Sequence, residues 1–270
     1  MNRSLRHRGC AEAERPLGLN QILPLLDRNE REQTGLFWAE GCRSFFSALE
    51  HRWMIRTVVY CPKLLRSRLA WDSIHRLGMS RSLPIVRLCP EEFQLLTRRA
   101  EPDGIGVVCE QRWSRLIDQH PVEGDVWVAL DSIRTPGNLG TILRTCAATG
   151  AQGVMLIGGE VDAYDPAVIR ASMGTFFATN LIRTSARALA GWKSRRNTVL
   201  FIGTSPSAKL DYRQLSYQTP LVLMMGSERT GLRERQSALC DRMVRLPMTD
   251  QVDSLNLAVA TGLMLYEAVR

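Results

Sequence analysis

Apolar and polar positions along the 270-residue chain change rhythm in short blocks. From Leu17 to Leu26 apolar residues recur at helical spacing, and the charged run "DRNEREQ" follows. "GLFWAEG" (35–41) reads as a strand and "CRSFFSALEHR" (42–52) as a helix. "IRTVVYCP" (55–62) is a strand ended by Pro62, and "LLRSRLAWDSIHRLG" a helix closed by Gly78. "LPIVRLC" (83–89) is a strand. "PEEFQLLTRR" (90–99) opens on Pro and two acids, which suits a helix N-terminus. "GIGVVCEQ" (104–111) is a further strand. This alternation predicts a small α/β domain.

The stretch "EQRWSRLIDQHPVEGD" (110–125) is polar and broken by Pro121 and Gly124, so it reads as a connection. A second series then begins. Strands are predicted at 126–130, 153–157, 198–203, 220–225 and 243–246, and helices at 139–149, 166–173, 185–194, 231–240 and 255–269. Strands such as "VWVAL", "TVLFIG" and "LVLMM" are continuous apolar runs, which suits a parallel sheet covered on both faces. The expected organisation is a flexible tail over 1–16, a first domain over 17–111, a linker over 112–125 and a second α/β domain over 126–270.

Composition adds three constraints. The chain is 45% hydrophobic and 23% charged, as globular proteins are, and no apolar run approaches the roughly eighteen residues of a membrane span. The formal charge is +8, and among 35 basic residues only Lys63, Lys193 and Lys209 are lysines. Arginine contacts phosphate bidentately and stacks on bases, so the bias suits a nucleic-acid partner; a GC-rich genome would produce the same bias. Seven scattered cysteines, none in a C-x-x-C pair, read as reduced thiols in a cytoplasmic protein, most of them core filler. Arg3, Arg6 and Arg8 suggest an organelle-targeting start, but Glu12 and Glu14 argue against one. The four histidines all lie in the first half, which excludes a His-based triad in the second half and argues against a zinc site.

Three segments of the second half carry candidate chemistry. Each ends a strand and begins a loop or helix, where ligands of open α/β sheets bind, so the three should share one cleft. The first is "TPGNLGTILRTCAATGAQG" (135–153). Gly137 and Gly140 allow a tight turn or close approach, and Asn138 is placed to cap the following helix. Leu139, Ile142, Leu143, Cys146 and Ala147 form its apolar face. Arg144 lies beside that face, where an arginine snorkels or pairs with a carboxylate. The second is "LVLMMGSERTGL" (221–232), in which Gly226 ends a strand and Glu228 sits in a turn before Gly231; "FIGTSP" (201–206) repeats the arrangement. The third is "RLPMTDQVDSLNLAVATGLMLYEAVR" (245–270), where Asp253 or Ser254 is placed to cap a helix apolar around most of its circumference. Such a helix is buried or part of a subunit interface. No G-x-G-x-x-G occurs, which argues against a dinucleotide enzyme.

Together the three segments resemble the motifs of the SpoU/TrmH family of RNA ribose 2′-O-methyltransferases, within the SPOUT superfamily. Asp131 to Ala151 is similar to D-x-x-x-D-P-x-N-x-G-x-I-x-R-T-A-x-A-x-G-A, with Thr135 replacing the usual acid and Cys146 an alanine. Gly226, Glu228 and Gly231 resemble G-x-E-x-x-G. Pro247, Met248, Ser254, Leu255, Asn256 and Ala260 resemble P-M-x-x-x-x-x-S-L-N-x-x-x-A. In the first half "GLFWAEGCR" resembles the G-x-F-x-x-E-G-x-R start of a small RNA-binding domain similar to a ribosomal-protein fold, with Trp38 as a bulky variant.

The resemblance implies a C-terminal α/β domain with a parallel sheet and a trefoil knot, an expectation general topology rules would not have supplied. It implies S-adenosylmethionine as cofactor, an RNA substrate and a homodimer. It also implies catalytic roles for Asn138, Arg144, Glu228, Ser254 and Asn256. Cofactor contacts are implied at Gly203, Thr204, Met224, Gly226, Leu246, Met248, Ser254, Leu255 and Asn256. The N-terminal domain points to 23S-type ribosomal RNA. The alternatives are a transfer-RNA 2′-O-methyltransferase and a non-catalytic RNA-binding module on the same fold.

Overall fold

The computed structural model describes residues 16–80, 83–227 and 229–270, and the chain divides after Glu110 into two units. The tail expected over 1–16 therefore lies, apart from Pro16, outside the described residues.

In the first unit α1 (Leu19–Ile22) runs into a 3-10 turn over Leu23–Leu26. There follow α2 (Arg28–Thr34), β1 (Leu36–Glu40), α3 (Cys42–Glu50), β2 (Ile55–Tyr60), α4 (Arg68–Met79), β3 (Ile85–Arg87), α5 (Pro90–Leu96) and β4 (Ile105–Glu110). The α4 helix starts later than its apolar pattern suggests because the Ser67 hydroxyl accepts from the Ala70 N–H and caps it there. The sheet order is β1-β4-β2-β3; β4 runs antiparallel to both neighbours, and β2 pairs parallel with β3. The bulky Trp38 is accommodated because Gly106 on β4 has no Cβ, and the indole occupies that space. Its Nε1 donates to the Leu96 carbonyl at 3.1 Å, so the buried ring keeps its one polar group satisfied.

The second unit contains β5 (Val126–Asp131), α6 (Pro136–Thr149), β6 (Gly153–Ile157), α7 (Pro166–Ala171), β7 (Leu181–Thr184) and α8 (Ala186–Lys193). It continues with β8 (Leu200–Thr204), β9 (Leu210–Asp211), β10 (Leu221–Met225), α9 (Glu234–Ser237), β11 (Arg242–Arg245) and α10 (Leu257–Ala268). The order β7-β6-β5-β10-β8-β11-β9 is parallel at every pairing. The central strands β5, β6 and β10 are buried along their whole length, which is why their sequences do not alternate. On one face Trp127 and Ala129 of β5, Met155 of β6 and Met224 of β10 meet Leu189 and Trp192 of α8. Helix α6 packs against α7 and α10, and Gly140 is needed because its α-carbon lies against Ala171 and the Val168 carbonyl. Among the described residues no helix is long and apolar enough to cross a membrane.

Several expectations need correction. The segment expected as a linker folds onto the second unit. The Arg112 N–H donates to Tyr164 Oη at 2.8 Å, the Ser114 N–H donates to the Leu181 carbonyl at 2.9 Å, and Leu116 packs on the core. Of its few apolar residues, Trp113 meets Tyr164 edge-on and Leu116 joins the core, while Ile117 and Val122 stay exposed. Strands β7 and β9 were not expected; at four and two residues they are too short to show a periodicity. The helix expected at 231–240 shrinks to α9, because Leu232 and Arg233 are held by contacts with β10 and β5.

The contact with β10 is at Gly226, just past the strand's end. A Cβ there would collide with the backbone of Gly231 and Leu232, which cross directly over it. Backbone cannot swing aside as a flexible side chain can. We expect Gly226→Ala to destabilise the folded chain by about 2–3 kcal/mol, read as a lowered thermal midpoint. An unchanged midpoint would show that the crossing can relax.

Candidate active site

The carboxyl ends of β8, β10 and β11 open into one cleft of about 660 Å³. Its walls are the loop after β8 (Thr204 to Ala208), the loop after β10 (Met225 to Leu232) and the chain leading into α10 (Leu246 to Leu257). Parallel strands place their C-terminal loops together, so three segments distant in sequence share this space. The volume suits a nucleoside-sized ligand. The lining combines the thioethers of Met225, Met243 and Met248 and the side chains of Leu232, Leu246 and Leu255 with backbone groups of the strand ends. Gly226, itself buried, lies at the lining beneath the crossing of Gly231 and Leu232. An adenine ring would find apolar walls and backbone hydrogen-bonding groups here, and Arg229 and Asp253 at the lining offer one charge of each sign to an amino-acid tail. The chemistry of the lining fits S-adenosylmethionine.

Of the residues expected at the cofactor, Thr204, Gly226, Leu246, Met248, Ser254 and Leu255 line the cleft. Gly203, Met224 and Asn256 do not. Met224 points into the core beneath the sheet, and Gly203 is packed under Met243, Cys240 and Leu232. Alternation along a strand explains both, since neighbouring residues face opposite ways.

The two asparagines are joined. Asn256 Nδ2 donates to Asn138 Oδ1 at 3.0 Å, across 118 positions of sequence. Asn256 is also the N-cap of α10: its Oδ1 accepts from the N–H groups of Ala258 (2.9 Å) and Val259 (3.3 Å). The cap is therefore Asn256, not Asp253 or Ser254, and the displaced Ser254 is left to line the cleft. Asn138 does not cap α6 either. That helix starts at Pro136, with Thr135 at its N-cap, which puts Asn138 in the first turn facing Asn256. Both ends of the Asn256 amide are thus fixed, the oxygen by a helix terminus and the nitrogen by a side chain.

Arg144 lies on the exposed side of α6 and outside the cleft lining. It forms no ion pair or hydrogen bond among the described residues, so neither of its ordinary structural roles applies. Glu228 lies outside the described residues.

Sequence reasoning missed the buried carboxylate of Asp131, at the end of β5. Arg233 donates to it through Nη2 and, at 3.2 Å, through Nε; Gln236 Nε2 donates at 3.3 Å and Ser132 Oγ at 3.1 Å. The bonded carboxylate raises the Arg233 guanidinium above its usual range. The signal was present in "VWVALD", an apolar strand ending on an acid. Its partner could not be named without the fold. The thiol of Cys146 on α6 is pushed up to about 12 by burial, and so is that of Cys240 behind the cleft, which leaves both as unreactive packing groups.

The chain is similar to proteins of known family along nearly its whole length. The family model described as SpoU rRNA Methylase family matches residues 125–266, and the one described as MRM3-like substrate binding domain matches 19–106. A 23S rRNA (uridine(2479)-2′-O)-methyltransferase of Streptomyces viridochromogenes is 31% identical over 251 residues, covering 90% of this chain and 86% of that protein. An AdoMet-bound rRNA methyltransferase from Sinorhizobium meliloti superposes with a TM-score of 0.85 at 35% identity, over 93% of each chain. The SpoU methyltransferase AviRb from Streptomyces viridochromogenes, in complex with AdoMet, gives 0.84 at 30% identity over 93% of this chain and 96% of that one. With three motifs in order, a cleft at the matching strand ends and these likenesses, the chain belongs to the SpoU rRNA methylase family.

Proposed function

We infer that this chain transfers a methyl group from S-adenosylmethionine to a ribose 2′-OH of large-subunit ribosomal RNA. The observation that carries the reading is the cleft at β8, β10 and β11, with the fixed Asn256–Asn138 pair immediately after the lining residues Ser254 and Leu255. Relatives named as 23S rRNA 2′-O-methyltransferases support the substrate class, and the first unit, which matches a substrate-binding domain, would hold the RNA. The place of action would be the cytoplasm, on ribosomes or their precursors. The superposition on SpoU methyltransferases at 30–35% identity supports the trefoil knot that the resemblance implies.

The bound cofactor supplies an electrophilic sulfonium methyl. The residues of the chain must hold the hydroxyl in line with it and favour loss of the proton. Asn256 is suited to orientation, because its amide cannot rotate without losing both the α10 cap and the bond to Asn138. Arg144 is suited to charge. An unpaired, exposed guanidinium can meet a phosphate of the target strand and stabilise the developing alkoxide. We assign it phosphate contact and charge stabilisation, not the role of base.

The assembly would be a homodimer through α10. Val259, Leu263 and Tyr266, at helical spacing, are 53%, 42% and 60% exposed, an apolar stripe on a helix whose other side is buried.

Calorimetric titration with S-adenosylmethionine followed by tritiated-methyl transfer to total RNA tests the activity. Binding, with label in alkali-resistant dinucleotides, is expected; no cofactor binding by the folded chain would overturn the reading. Arg144→Ala should lower kcat by about 10²–10³-fold with cofactor affinity unchanged. Arg144→Lys should keep substantial activity, and near-total loss would assign the guanidinium fork rather than its charge. Leu263→Glu should raise the dimer dissociation constant by about 100-fold, seen by light scattering; an unaffected dimer would place the interface elsewhere.

A further inference from the structure

Between Asp165 and Asp211 the chain holds no Asp or Glu, yet it carries seven Lys or Arg. Much of that charge gathers on one part of the second unit. Arg183 is on β7, Arg187 is on α8, and Arg195 and Arg196 follow the helix. Arg183, Arg187 and Arg195 are exposed and have no carboxylate partner among the described residues. This differs from the pairing seen elsewhere, as in Arg28 with Glu32 or Arg213 with Asp211.

The guanidiniums are positioned rather than loose. The Arg183 Cζ lies 4.4 Å from the ring centre of Trp113, and the Arg196 Cζ lies 4.7 Å from that of Trp192. Arg196 Nη2 also donates to the Ile117 carbonyl at 3.2 Å. Stacking on an indole face restricts a guanidinium while leaving N–H donors at its edge. Arg187 and Arg195 line a hollow of about 480 Å³ together with Leu116 and Ile117. The carboxylates nearby are engaged elsewhere, Asp118 with Arg115 and Asp241 with Lys193, so Arg183, Arg187 and Arg195 remain uncompensated and repel each other. Partial burial and the neighbouring Arg195 both lower the Arg196 pKa, as expected where positive charge is uncompensated.

We propose that this face, formed by β7, α8 and the segment that carries Trp113 to Ile117, grips the phosphodiester backbone of the substrate RNA away from the target nucleotide. The inference rests on the ribosomal-RNA reading above. Guanidiniums that lack a carboxylate partner, with Arg183 held on an indole face, complement a polyanion, and phosphate accepts their paired N–H donors. In the sheet, β7 stands three strand steps from β10, roughly 14 Å, so the phosphates held here would belong to flanking nucleotides.

The test uses the full chain with Arg183, Arg187 and Arg195 all changed to Ala, and protein-free 23S ribosomal RNA as probe. Filter binding across a KCl series should show the slope of log affinity against log salt shallower by about two, and Kd at least about tenfold weaker near 0.1 M. S-adenosylmethionine affinity and the thermal midpoint should match the wild type. Arg→Lys at the same three positions should restore most of the slope. If the alanine variant loses its thermal transition, Arg187→Glu with Arg195→Glu gives the same readout. A wild-type slope and Kd in the neutralised variant would overturn the proposal, including the case in which the face holds an acidic protein instead. A wild-type chain that neither binds nor methylates the RNA would overturn the functional reading beneath it.

Discussion

One buried carboxylate governs the geometry of the methyltransferase unit. Asp131 ends the central strand β5 with almost no exposure, where an unpaired charge would be costly. It is satisfied by Arg233 and Gln236, which lie beyond the crossing at Gly226. The interaction therefore fixes the loop after β10 against β5. That loop is one wall of the cleft, and its path over Gly226 leaves no room for a side chain. Electrostatic pairing of a buried charge and steric exclusion at a glycine thus act on the same few residues. Breaking either would release the wall.

The second wall is positioned by a different device. Asn256 caps α10 and holds Asn138 on α6, so the start of one helix is tied to the first turn of another. Leu246, Met248, Asp253, Ser254 and Leu255 of the segment before the cap line the cleft. A residue that caps a helix is normally read as serving local stability. Here the same amide also ties α10 to α6, because both ends of the side chain are used. Arg144 differs from these anchored residues. It is exposed on α6 with no side-chain partner among the described residues, which the proposed contact with an RNA phosphate requires.

Much of this was legible in the sequence. The continuous apolar runs at 126–130, 153–157 and 220–225 correspond to β5, β6 and β10, since burial on both sheet faces demands that composition. The three motifs lie at strand ends, but only the second and third line the cleft; the first is tied to it through the Asn138–Asn256 bond. Short elements were illegible: β7 and β9 are too short to show a periodicity, and α9 is shortened by the anchoring of Arg233. The cap of α10 was misplaced by two or three residues because Asp, Ser and Asn are all good caps and stand within four positions.

By itself the sequence determined the order of strands and helices, the family motifs and the basic character, because these depend on local spacing and composition. Only the tertiary structure decided which polar group meets which. Asp131 with Arg233, Asn138 with Asn256 and the arginines with Trp113 and Trp192 pair groups that are often far apart along the chain. Such pairing is set by how the sheet brings strand ends together and by how closely backbones cross. Neither quantity is carried by any single segment of sequence.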